Sequence, residues 1–147
     1  MAITQAVANS FKKQVLEGGH KFQYSGGDNF KLALYISTAT LNSATTAYTS
    51  TGEVAGSGQY SIGGGALVKP NPSTSVASGV AIVDFADLSF TGVTLTARGA
   101  LIYNTSNSNA AVAVLDFTAD KTATSGTFTI QFPNFTTSAA ILRIGNA

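Results

Sequence analysis

Two β-prone runs flanking a cluster of Asn, Ser and Thr stand out in the pattern of apolar and polar positions. Residues 93–103 begin with strict alternation, Val93, Leu95 and Ala97 against Thr94, Thr96 and Arg98, and from Gly99 onward both faces are apolar. The return run, residues 110–117, is apolar until Asp116. The polar stretch 104–109 between them predicts a hairpin whose tip half is covered on both sides. Pairing Asn104 with Ala110 sets Tyr103 against Ala111, Ile102 against Val112 and Leu101 against Ala113, and it places Arg98 opposite Asp116. Large side chains then meet small ones. The cross-strand ion pair Arg98–Asp116, worth roughly 0.2–1 kcal/mol, would hold this register against a slip.

Elsewhere the pattern is shorter in range. Residues 4–17 read as the only helix: Thr4 caps it, Ile3, Val7, Phe11, Val15 and Leu16 form a narrow apolar stripe, and Gly18 and Gly19 stop it. A helix of that length needs support from its own sheet or from another subunit. Phe30, Leu32, Leu34 and Ile36 alternate with Lys31, Ala33 and Tyr35, which predicts a half-buried strand. Residues 37–59 form a long polar loop. Short strands follow around 66–68, over 79–90 with a bend at Asp84 to Asp87, and over 127–132 and 139–144, with a turn across 118–125. The expected architecture is all-β: one domain over 1–147, an antiparallel jelly-roll-like sandwich or barrel, with a helical arm over 1–20 and a β core over 21–147.

Composition narrows the function. Only 10% of residues are charged and the net charge is +1, so there is no basic patch to track phosphates and nucleic-acid binding is not expected. The chain has no Cys, which removes disulfides and thiolate metal sites. Its start lacks a basic segment followed by an apolar core, and no apolar run approaches the ~20 residues of a membrane helix, so synthesis in a cytoplasm and no membrane partner are expected. Gly63, Gly64 and Gly65 lack the Gly-Lys-Ser/Thr of a phosphate loop, and no nucleophile elbow or His-Glu-x-x-His occurs. His20, the one histidine, reads as a cation-capable residue beyond a helix C-terminus. Asp84, Asp87, Asp116 and Asp120 do not match the spacing of a calcium loop. Tyr24, Tyr48 and Tyr60 are the residues a sugar-binding module would use. No enzyme activity and no cofactor are expected.

A set of runs resembles a family of small virion proteins of tailed bacteriophages: Ala2-Ile3-Thr4-Gln5-Ala6 with Ser10-Phe11-Lys12, Phe30-Lys31-Leu32-Ala33-Leu34-Tyr35, Tyr48-Thr49 with Gly52-Glu53-Val54, Thr96-Ala97-Arg98-Gly99-Ala100-Leu101-Ile102-Tyr103-Asn104, Ala111-Val112-Ala113-Val114-Leu115-Asp116-Phe117 and Phe128-Thr129-Ile130-Gln131-Phe132-Pro133. The resemblance implies a capsid cement (decoration) protein on the outer surface of the head. Its partners would be the major capsid protein lattice and its own copies, as a dimer or trimer; a tail or neck component is the alternative. The partner contacts expected from the residues are the helix (Phe11, Lys12, Val15, Leu16) and the polar loop around Tyr48 and Glu53.

Overall fold

The structure, a computed structural model, describes residues 2–145. In chain order it forms β1 (Ala6–Val7), α1 (Asn9–Leu16), β2 (Phe30–Tyr35), β3 (Gly65–Ala66), β4 (Thr74–Ala77), β5 (Val80–Val83), β6 (Leu88–Asn104), β7 (Ala110–Ile130) and β8 (Leu142–Ile144). Two antiparallel sheets result, one five-stranded in the order β1-β7-β6-β2-β3 and one three-stranded in the order β4-β5-β8. The all-β expectation with one short helix holds. Among the described residues each sheet holds one tight hairpin, β6–β7 or β4–β5, joined to strands from elsewhere in the chain.

The β6–β7 hairpin is longer than the hydrophobic pattern delimits. Residues 118–125 are not a turn: β7 runs on through them to pair Ala123 with Leu95 and Ile130 with Leu88. Within residues 118–125 the only apolar side chains are Ala119 and Ala123, which is why this stretch reads as a turn; Thr nonetheless suits an exposed pleated strand. Hydroxyl pairs across the ladder, Thr96 with Thr122 at 2.8 Å and Ser89 with Thr129 at 2.9 Å, hold it together.

The register starts as expected, with Asn104 opposite Ala110 and Tyr103 opposite Ala111, and then shifts. Val112 has no partner, so Ile102 faces Ala113, Leu101 faces Val114 and Gly99 faces Asp116. A second irregularity follows, because Ala97 pairs with Lys121 and leaves residues 117–120 bulged opposite Arg98. Thr118 takes φ +65° there, its amide donating to Asp116 Oδ1 at 2.8 Å. The expected Arg98–Asp116 pair is therefore replaced. Arg98 Nε donates to Asp120 Oδ1 at 2.8 Å, and Asp116 closes the turn. A β-bulge adds a residue on one strand and bends it, and the alternation of apolar residues carries no mark of it.

Cross-strand partners share a face, so the tip half has two distinct sides. Phe30, Leu32 and Leu34 lie with Asn104, Ile102 and Ala100; Ala33 and Tyr35 lie with Leu101 and Gly99, next to Tyr103. On the first side a chain of rings, Phe11, Phe22, Phe30, Phe85 and Phe132, links α1 and the segments around the smaller sheet to the hairpin. On the second side Tyr48 stacks on Tyr103, and Ile3 packs over Gly99, where a Cβ would come within 2.9 Å of the Ile3 side chain. β2 is consequently buried on both faces rather than half-buried, and Ile36 lies beyond its end.

The N-terminal segment is part of this core. The helix is shorter than residues 4–17, because Ala6 and Val7 pair with Val114 and Ala113, and Ala8 stays extended with its amide donating to Val112 O. Thr4 does not cap it; its amide bonds Leu41 O. Ile3, Ala8 and Phe11 are buried with residues of both sheets in one hydrophobic cluster.

Double-mutant cycles would separate the two possible partners of Arg98. Arg98→Ala with Asp120→Ala is expected to show a coupling of about 0.2–1 kcal/mol, as for exposed pairs, and Arg98→Ala with Asp116→Ala none. Coupling to Asp116 in urea denaturation would contradict the bulge.

Candidate functional site

Three places gather chemistry. The first is a polar network around His20. The ring is buried between Phe11 and Phe22. Its Nε2–H donates to Gln14 Oε1 at 2.9 Å, and Asn104 Nδ2 donates to its Nδ1 at 3.1 Å. Asn104 also donates to Asp28 Oδ2 at 2.7 Å, and that oxygen accepts the Lys21 amide at 3.0 Å. The pattern requires a neutral imidazole, and burial lowers its pKa although Asp28 opposes the shift. The residue read as cation-capable beyond the helix C-terminus is thus held here as a neutral, hydrogen-bonded ring. Both ring nitrogens are engaged in hydrogen bonds, so neither is free to exchange a proton with a ligand in this arrangement.

The second place is a tyrosine cage around Glu53. Tyr48 donates to Glu53 Oε2 at 2.6 Å, while Tyr60 and the Gly63 amide both donate to Oε1 at 2.7 Å. Tyr60 Oη also accepts the Leu34 amide at 2.8 Å, Tyr35 donates to Thr49 O and Tyr103 to Gly63 O. Burial raises the pKa of Tyr35, Tyr48, Tyr60 and Tyr103, and the Glu53 carboxylate adds to it. All four are neutral donors at ordinary pH. The residues expected in a free binding loop are instead held inside: Tyr48 and Glu53 are half-buried, and residues 37–59 are tied down by backbone bridges at Leu41, Ala47, Glu53 and Ser57. Tyr24, Tyr48 and Tyr60 form no common platform, since Tyr60 is buried, Tyr48 lies on Tyr103 and Tyr24 is exposed.

The third place is a groove of about 540 Å³ between α1 and the smaller sheet. It collects all four helix residues singled out from the sequence, Phe11, Lys12, Val15 and Leu16, and sets them against Ile82 and Ile144. Phe11 is its buried floor, whereas Leu16 is 87% exposed and Ile144 62%. Tyr48 and Glu53 do not line this groove. Sequence reasoning missed its other wall, β5 and β8, because nothing local in those short strands says that they face a helix. Among the described residues no group of three or more His, Cys, Asp or Glu could hold a metal ion. No helix there is long and apolar enough to cross a membrane.

Neither a protein-family model nor a curated protein nor a solved structure matches the chain significantly. The groove and the two polar networks therefore stand on their own geometry.

Replacing Tyr60 by Phe strands both the buried Leu34 amide and one Glu53 contact, and is expected to destabilise the fold by about 1–3 kcal/mol. Tyr48→Phe, which strands no backbone amide, should cost less; equal losses in chemical denaturation would contradict the cage. For His20 the folded pKa lies below the unfolded one, so between them the unfolded chain binds more protons. Stability should be flat above the ordinary value of about 6.5 and fall as pH drops below it. In His20→Gln that part of the pH dependence should vanish.

Proposed function

We propose that this chain is a structural protein of a tailed-phage virion, a cement protein that docks on the major capsid protein lattice from outside the head. The observation that carries the docking reading is the exposure of Leu16 and Ile144 across an apolar groove. A leucine exposed on a helix is ordinary by itself. Here it adjoins Val15, Phe11 and the face of a second sheet, a concave apolar arrangement of the size and character of a binding site.

The rest of the molecule suits a passive surface. Its polar exterior rests on Ser, Thr and Asn, and its two polar networks have their hydrogen bonds directed inward. The resemblance to small virion proteins supplies the choice of particle. Copies arrayed on a lattice, as dimers or trimers, would multiply a modest contact through avidity.

Mixing the purified chain with empty heads, followed by cryo-electron microscopy, tests the proposal. Density on the outer surface of the head is expected, with occupancy lost in Leu16→Asp. This variant is preferable to removing residues 2–17, because Ile3, Ala8 and Phe11 belong to the core. Density confined to the tail or neck would replace the cement role with the alternative one, and absence from particles would overturn the virion reading.

A further inference from the structure

The charges around the α1 groove are all of one sign. Lys12, Lys21 and Arg143 line it, and no Asp or Glu does. The chain has seven carboxylates, and each has a place elsewhere. Glu17 pairs with Lys13 at 2.7 Å. Asp28 accepts from Asn104 and the Lys21 amide behind His20. Glu53 sits in the tyrosine cage, Asp84 and Asp87 line a separate open cleft, and Asp116 and Asp120 belong to the hairpin bulge. His20, the remaining titratable group on the groove wall, is neutral. Among the described residues the ion pairs are Lys13–Glu17 and Arg98–Asp120, so none of the three groove cations has a carboxylate partner. Lys12 donates to Asn9 Oδ1, which leaves its charge uncompensated, whereas Arg143, on the face of β8 opposite Leu142 and Ile144, gives its guanidinium to the carbonyls of Thr137 and Ser138.

Two of the eight Lys and Arg residues of the chain, Lys12 and Lys21, thus stand without a carboxylate partner on one apolar groove. From this combination we infer that the groove binds a polypeptide segment of a partner protein that carries carboxylates beside its apolar side chains. The apolar side chains sit between Leu16 and Ile144, and the carboxylates meet Lys12 and Lys21. The inference rests on the docking reading above and specifies the chemistry of what docks.

The test uses the full chain and a labelled short peptide carrying Leu-Glu-Leu-Glu-Leu between Ser-Gly flanks, its counterpart with Lys for Glu, and phosphatidylserine vesicles. Fluorescence anisotropy is expected to show binding of the acidic peptide and not of the basic one. Lys12→Glu with Lys21→Glu, two exposed positions, should weaken the acidic peptide by roughly tenfold or more and admit the basic one. A photo-crosslinker on the peptide should label α1 and β8 of the unsubstituted chain, a readout that needs no variant to fold. Equal binding of both peptides, indifference to the charge reversal, crosslinks elsewhere, binding to vesicles alone, or no binding at all would overturn the inference. So would a dimer in sedimentation that Leu16→Asp dissolves, since a second copy would then fill the groove. Head binding that survives the charge reversal would defeat this inference and leave the cement reading standing. Peptide binding without head binding would do the converse.

Discussion

Backbone N–H and C=O groups buried away from water must find partners within the protein, and the tip half of the β6–β7 hairpin is buried on both faces. Its outer edges would otherwise carry unpaired groups into the interior. β2 satisfies the β6 edge from Phe30 to Tyr35. The β7 edge is closed piecemeal: Thr46 takes the Ala111 amide, Ala8 bonds Val112, β1 covers Ala113 and Val114, and the Gln5 side chain accepts from the Asp116 amide. Distant parts of the chain are thus recruited to one short stretch of backbone. That requirement explains why the N-terminal segment and the long polar excursion are integral to the fold.

The two faces of the tip are closed by different chemistry. Phenylalanine rings fill the side toward α1 and the smaller sheet, and the buried polar side chains there, His20 with Asn104 and Ser73 with the Phe22 carbonyl, are hydrogen-bonded. Tyrosines close the other side, where each hydroxyl needs a partner once it leaves water. Glu53 supplies acceptors for two of them and for a backbone amide. A single carboxylate therefore fastens the excursion at Tyr48, at its own position and at Tyr60 and Gly63. The function proposed for the molecule lies outside these closures, in a groove that neither of them completes.

Much of the scaffold was legible in the sequence. Apolar periodicity located the hairpin and β2, and the doubly covered tip was legible because burial on both faces leaves a continuous apolar run. The bulges were not legible: Val112 looks like its neighbours, and the turn at Thr118 rests on a side-chain acceptor two residues earlier. Residues 118–125 of β7 were hidden because an exposed strand needs no apolar alternation. The helix stripe of Phe11, Val15 and Leu16 pointed to the groove, while the strand around Leu142 and Ile144 was legible as a strand but carried no local sign that it faces a helix. Tyr48 and Glu53 were visible as chemistry but were assigned outward. Only the tertiary position of Tyr60 and Tyr103 reveals that their hydrogen bonds point in.

The scarcity of ion pairs has a consequence for the behaviour of the protein in salt. Among the described residues the two that exist are solvent-exposed, and exposed pairs contribute little and are screened at modest ionic strength. The fold is held by apolar burial and by short-range hydrogen bonds, neither of which depends on long-range Coulomb forces. Ionic strength is therefore a variable to which the folded body is nearly indifferent. The unpaired lysines of the groove, Lys12 and Lys21, are among the charges that still sense it, so a change of salt acts on that surface while leaving its scaffold in place.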